Sequence, residues 1–177
     1  MDGETQVRGR MQLGGNELLE FEQMRFDYIE QVLQIEEQCF SSPWSASAFM
    51  YEITYNNLAH YIVALKEDKI IGYAGMWVIL SDAHITNIAV CPSQRGNKYG
   101  ENIMLEMMAR ACFFGASKMT LEVRVSNTHA RQLYRRLGFV DHGCRKKYYS
   151  DNNEDAIIMW RDHLEPGLAQ EWTNIAK

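Results

Sequence analysis

The chain has little that would interrupt a fold and nothing that would carry it across a membrane. Only three of its 177 residues are proline, so few positions force a break in a helix or strand. No run of 18 consecutive apolar residues occurs, and the first residues lack the charged-then-apolar pattern of a secretory leader. The four cysteines, Cys39, Cys91, Cys112 and Cys144, are scattered and form no Cys-x-x-Cys pair. Reduced thiols in a cytoplasmic compartment are the simplest expectation. The five histidines form no His-Glu-x-x-His or similar cluster, so no metal is expected. A basic excess is also missing. The net charge of −5 argues against bulk nucleic-acid binding and leaves room only for a local basic site. Two phosphate-binding glycine motifs are absent. Gly100 is followed by Glu101-Asn102 rather than Lys-Ser/Thr, and the stretch from Gly96 to Gly100 supplies no Gly-x-Gly-x-x-Gly.

What is present is a globular composition, 46% apolar and 23% charged, in a length that suits one domain with a full core. Residues 1–24 are polar, glycine-bearing and weakly periodic. They read as a flexible tail outside the fold, with at most a helical turn at Leu18, Leu19 and Phe21. The domain is expected over 25–164, with a second tail over 165–177. Residues 27–40 read as a helix capped by Asp27, with Ile29, Val32, Leu33, Glu36 and Phe40 on one stripe. Pro43 ends it, and Ser45 caps a second helix over 46–55. Residues 60–65 and 69–79 form a hairpin, and a third strand covers 83–90. A strand over 118–123, parallel to the one before it, completes a right-handed strand–helix–strand unit. A helix from Asn127 to Leu137 stops at Gly138, and a hairpin over 139–149 and 156–160 closes the domain.

The densest chemical signal lies at 87–111. A strand runs into Cys91-Pro92, then a polar loop, then a helix with Ile103, Met104, Met107, Met108, Ala111 and Cys112 on one face. A helix start presents N–H groups that no helical carbonyl uses, and this makes it an anion site. Arg95 and Lys98 add positive charge, while Gly96 and Gly100 let the backbone come close. A diphosphate-bearing cofactor would suit this loop; an ordinary strand-to-helix turn is the alternative.

Two further residues carry reactive groups. In LEVR, alternation puts Leu121 and Val123 on one face and Glu122 and Arg124 on the other. Glu122 is thus a carboxylate in a central strand, there either for chemistry or because water or an arginine reaches it. Tyr134 stands at the margin of the stripe formed by Ala130, Leu133 and Leu137, where its ring can pack and its hydroxyl can reach a cleft. Pro43-Trp44 is open to two readings, a plug for the core or a wall for a substrate groove.

The loop RGNKYG (95–100) resembles the Arg/Gln-x-x-Gly-x-Gly/Ala loop of the GNAT acetyltransferases, with Lys98 where that family usually has its first glycine. FSSPW, ITNIAV, LEVRVSNTHARQLYRRLGF and RKKYYSDNNEDAIIMW extend the likeness over residues 24–160. Together they resemble the RimI-type ribosomal-protein alanine N-acetyltransferases, in the branch found in Gram-positive bacteria.

The resemblance implies an α/β GNAT fold. Its mixed central sheet would have about six to seven strands, flanked by helices, with a V-shaped splay between the two central parallel strands. It implies that Ile88, Ala89 and Val90 line the pantetheine arm of acetyl-CoA, with an N–H near Val90 on the thioester oxygen. It also implies that Arg95, Gly96, Asn97, Lys98, Tyr99, Gly100 and Glu101 hold the pyrophosphate and that Asn127 contacts the cofactor. Glu122 would be the general base and Tyr134 the general acid, with Pro43, Trp44, Tyr148 and Tyr149 framing the peptide entrance. The implied acceptor is the N-terminal alanine of a small-subunit ribosomal protein, acetylated by direct attack. No nucleic-acid or membrane partner is implied, and a monomer or weak dimer is expected. A lysine or small-amine acceptor, or a non-catalytic CoA-binding module, are the competing readings.

Overall fold

The computed structural model describes residues 9–12 and 18–165. Its strands are β1 (Gly9–Gln12), β2 (Leu18–Gln23), β3 (Ala59–Lys66), β4 (Lys69–Ile79), β5 (Asp82–Val90), β6 (Lys118–Arg124), β7 (Val140–Tyr149) and β8 (Glu154–Asp162). They form one sheet in the order β1-β2-β3-β4-β5-β6-β8-β7. The helices are α1 (Ile29–Cys39), α2 (Ala46–Tyr55), α3 (Tyr99–Phe113) and α4 (Thr128–Arg136).

Strand alternation divides the core into two. On β3, Ile62 and Ala64 join a cluster with Ile103, Met104, Met107, Met108 and Ala111 of α3 and Tyr134 of α4. Their neighbours Tyr61 and Val63 join Val32 and Ile35 of α1 and Phe49 of α2. The sheet is therefore covered on both faces. The caps form where the side chains allow: Ser45 accepts the Ala48 N–H at 3.2 Å, and Gly138 stops α4 at φ +83. The β3–β4 turn puts Glu67 and Asp68 at φ 49 and 60, as a tight hairpin needs.

Three expectations are corrected. The segment read as an N-terminal tail contributes β1 and β2, so the sheet has eight strands rather than six to seven. In LLEFEQ, Leu19 and Phe21 lie two apart and are both 0% exposed. A six-residue strand gives a period-two signal too short to stand out beside its polar, glycine-bearing flank, and it is strand rather than helical turn. Residues 1–8, 13–17 and 166–177 of the expected tails lie outside the described residues. Finally, Asp27 does not cap α1. Its carboxylate takes the Arg25 guanidinium at 3.0 and 3.1 Å, and the helix is entered through a 3-10 turn over Phe26–Tyr28.

Among the described residues only β5 and β6 run parallel, and only briefly. Their register runs from Asp82↔Lys118 to Ile85↔Leu121 and stops. Beyond that point β5 stays on β4, with Asn87 to Val90 opposite Gly75 to Gly72, while β6 stays on β8, with Glu122 to Arg124 opposite Ile158 to Ala156. The β4–β5 register shifts between Gly75 and Met76, where Thr86 is the extra residue, and such a bulge bends its strand. Two strands committed to different neighbours must part, and the sheet opens into a V at its centre.

Candidate active site

The open end of the V leads into the loop before α3. A 3-10 turn over Pro92–Gln94 is followed by Gly96 at φ +86 and Lys98 at φ 60. Both lie in the left-handed region, which explains why a glycine is favoured at the position Lys98 holds. Lys98 is exposed, and Tyr99 begins the helix without a side-chain cap. The first-turn N–H groups are thus left facing outward.

They border a cleft of about 810 Å³, lined on one side by Ile88, Ala89 and Val90 of β5 and on the other by Asn127 and Tyr134 of the α4 segment. Arg95, Gly96, Lys98, Gly100 and Glu101 also line it. Arg95 bends back over the strand end, its Nε donating to the Val90 carbonyl at 3.3 Å and its Nη2 to Cys39 Sγ at 3.3 Å. Glu101 is a like charge for any phosphate and sits 3.8 Å from Arg136, which offsets it.

Two loop residues serve differently from a direct contact. The Asn97 amide donates to the Gln94 carbonyl at 3.1 Å, bracing the loop, and the residue is not part of the cleft lining. Tyr99 lines the cleft but is 2% exposed, with Lys66 Nζ donating to its hydroxyl at 2.9 Å. Asn127 accepts the Ala130 N–H at 3.2 Å, so its oxygen caps α4.

Tyr134 and Glu122 flank the V from opposite faces of the sheet. Tyr134 shares the α3 cluster with Leu121 and Val123, and Glu122 alternates to the other side. The Tyr134 ring packs on Phe139 at 5.9 Å, held by the Phe139 N–H bonding the Tyr134 carbonyl at 2.9 Å through the Gly138 turn. Burial pushes its hydroxyl well above the usual tyrosine range, so the O–H keeps its proton at neutral pH.

The Glu122 side chain is only 6% exposed. Its Oε2 lies 2.6 Å from His84 Nε2, and its Oε1 lies 3.2 Å from an Arg145 nitrogen. Burial alone would raise the carboxyl. The His84 hydrogen bond, with the charges of His84 and Arg145, outweighs it and holds Glu122 below the usual carboxylate range.

The residues expected to frame a peptide entrance lie on two segments, the α1–α2 loop and the end of β7, joined through one hydrogen bond. Trp44 packs against Phe49 at 5.4 Å and Tyr61 at 6.4 Å, while Pro43 is exposed. The Ser41 hydroxyl donates to Asp151, tying the α1–α2 loop to the β7–β8 turn. Arg124 fixes that turn through Asp151, Asn152 and Glu154 and lies 3.8 Å over the Tyr149 ring. Tyr148 meets Tyr149 edge-on at 5.1 Å and is 44% exposed.

Sequence reasoning placed Glu36 on the stripe of α1 without a partner for it, and passed over His84 and Arg145. His84 stands directly before ITNIAV, and Arg145 opens RKKYYSDN, so both lay in stretches already singled out. What was missing was the register that brings them to Glu122.

A splayed pair of central parallel strands, with a phosphate-suited helix start beside it, defines a class of acyl-transfer fold. The model of the acetyltransferase (GNAT) family matches residues 29–139, and the chain belongs to that family. A Bacillus subtilis protein that carries the provisional name [ribosomal protein bS18]-alanine N-acetyltransferase is 43% identical over 137 residues, covering 77% of this chain and 91% of its own. The [ribosomal protein bS18]-alanine N-acetyltransferase of Haemophilus influenzae is 32% identical over 136 residues, covering 73% and 89%. The crystal structure of the ribosomal-protein-S18-alanine N-acetyltransferase from Escherichia coli superposes with a TM-score of 0.75 at 27% identity, covering 82% of this chain and 94% of the other. Within the family the chain is of the RimI type.

Proposed function

We propose that this acetyltransferase moves the acetyl group of acetyl-CoA onto the α-amine of the N-terminal alanine of a small-subunit ribosomal protein. The names of the relatives support the acceptor class. The observation that carries the chemistry is the V between β5 and β6, with Glu122 on one face and Tyr134 on the other. The cleft fits the cosubstrate. Beyond Ile85 the β6 side of β5 is left without a strand partner, so its edge at 88–90 can take a pantetheine arm apart from the Val90 carbonyl that Arg95 holds, and the α3 start with Arg95 and Lys98 suits a pyrophosphate. Lys98 occupies the left-handed position itself, so the missing glycine does not spoil the loop.

When bound, acetyl-CoA supplies an activated acyl group as a thioester. An α-amine with a pKa of about 8 is mostly protonated at pH 7 and cannot attack. Glu122, ionised at that pH, takes the proton directly or through a water. A backbone N–H near Val90 stabilises the charge that develops on the acyl oxygen. Tyr134, still protonated, gives its proton to the departing sulfur as the N–C bond forms and the C–S bond breaks. The scattered cysteines, with no paired His motif, suit direct transfer better than a covalent enzyme intermediate.

Thiol release from acetyl-CoA with an Ala-starting peptide tests this, compared with the same peptide blocked at its N-terminus. Release with the free peptide alone is expected. Equal release with both, through a lysine side chain, would refute the α-amine reading.

A further inference from the structure

The bulge at Thr86 sets which way the strand edge in the V points. Ala83 and Ile85 face the α3 cluster, and in an unbroken strand residue 87 would face it next. Instead Thr86 and Asn87 both bond on the other face, to Tyr61 and Tyr73, and Ile88 and Val90 then pack toward the α3 cluster. The extra residue has shifted the alternation by one. The backbone follows. The Cys91 N–H bonds the Ile71 carbonyl of β4 at 2.8 Å, so the Val90 N–H points to the opposite edge, into the V. The Val90 carbonyl points the same way and takes Arg95 and the Cys39 thiol. A slip of one residue would turn that N–H toward β4.

The bulge is held by a run of hydrogen bonds whose direction is fixed. The Tyr73 hydroxyl gives its proton to Glu36 and so accepts from the Asn87 amide at 3.4 Å. The Asn87 oxygen takes the Thr86 hydroxyl at 3.0 Å. A hydroxyl has one proton, so at the 2.9 Å contact between Thr86 and Tyr61 it is Tyr61 that donates.

Tyr61 lies on β3, two strands from the bulge, and Gly75 of β4 stands between them. Tyr61 pairs with Gly75, and Gly75 with Asn87. A Cβ on Gly75 would run into the Tyr61 ring. The missing side chain lets the ring cross β4 and set its hydroxyl on Thr86. Tyr61 is buried and packs on Phe49 and Trp44, so close packing keeps it from following a shifting strand.

We propose that Thr86, held by Tyr61 across Gly75, is a positioning residue for acetyl transfer that sets the reach of the Val90 N–H toward the acyl oxygen. This rests on the reading of the V as the seat of acetyl-CoA. Thr86 acts through the strand rather than on either substrate. Its hydroxyl keeps the bulge in place, and the bulge keeps residues 88–90 in phase with the cleft. A group misplaced by about 1 Å can cost about 100-fold in rate.

The test uses acetyl-CoA and an Ala-starting peptide with wild type, Thr86→Val, Thr86→Ser and Tyr61→Phe. It reads kcat, both KM values and the dissociation constant for acetyl-CoA, at a temperature where each protein is folded by circular dichroism. Valine keeps the size and branching of threonine and removes the hydroxyl; serine keeps the hydroxyl. Thr86→Val should lower kcat by about 10-fold or more, with the acetyl-CoA dissociation constant within about twofold of wild type. Thr86→Ser should recover most of the loss. Tyr61→Phe frees the same hydroxyl from its other end and should also lower kcat, which keeps the test decisive if Thr86→Val does not fold.

A folded Thr86→Val enzyme with wild-type kcat, whatever its thermal midpoint, would show a merely structural hydroxyl and overturn the inference. Weaker acetyl-CoA binding at unchanged kcat would do the same, as would a Thr86→Ser enzyme as slow as Thr86→Val. A wild type that releases no thiol with the peptide would instead overturn the proposed function, and this inference with it.

Discussion

The backbone N–H of Trp44 donates to Glu36 Oε2 at 2.7 Å, and the Tyr73 hydroxyl takes the other oxygen of the same carboxylate. Glu36 is 1% exposed, so the loop carrying Pro43 and Trp44 is pinned to α1 and β4 by a buried acid. Glu36→Ala leaves both donors unpaired. It should cost about 2 to 6 kcal/mol of stability, at roughly 1 to 3 kcal/mol per unmet buried group.

The same acid gives a pH signature. Burial raises its pKa above 4.5, against which the Tyr73 and Trp44 bonds work only in part. A carboxyl raised in the folded state binds its proton more tightly there than in the unfolded chain. Its contribution to stability is therefore fully present below about pH 4.5 and declines as pH rises through the folded value. Thermal midpoints from pH 4 to 8 should fall less steeply for Glu36→Gln than for wild type. Parallel curves would contradict this.

Arg95 reaches the cleft from the strand end it now covers. Arg95→Glu should raise the apparent KM for acetyl-CoA by about 10-fold or more, with little change in that for peptide, since charge-assisted phosphate contacts are lost and repulsion added. The wild-type KM for acetyl-CoA should also rise with salt. Equal effects on both substrates would assign the loop to something other than a phosphate.

Tyr134→Phe removes one oxygen and its proton from a ring that stays packed on Phe139. The loss should appear in kcat, about 10-fold or more, with acetyl-CoA affinity retained. Unchanged kcat would remove Tyr134 from the chemistry and leave it as a wall of the cleft.

Much of this was legible in the chain because local rules agree with the fold. The alternation in LEVR put Glu122 opposite Leu121 and Val123, and Ser45 and Gly138 stand where caps and stops belong. The hairpin turn at Glu67-Asp68 and the parallel β5–β6 pair follow from the same periodicities. The rest depends on relationships between distant segments. Residues 18–23 are strand because β3 offers them an edge, which their own six residues hardly announce. His84 meets Glu122 because β5 and β6 share a register up to Ile85 and Leu121, a fact no single strand contains. Trp44 was read as either core plug or groove wall, and it packs on Phe49 and Tyr61 beside a loop tied to the β7–β8 turn.

The central claim is that Glu122 removes the proton of the acceptor amine. Glu122→Gln keeps the shape of the side chain and its place between His84 and Arg145. The decisive measurement is its kcat with an Ala-starting peptide, followed from pH 6 to 9. At pH 7 it should be lower than wild type by about 100-fold or more, and the deficit should shrink as pH rises and the amine becomes neutral unaided. A folded Glu122→Gln protein that acetylates the peptide at near wild-type rates across that range would contradict the account.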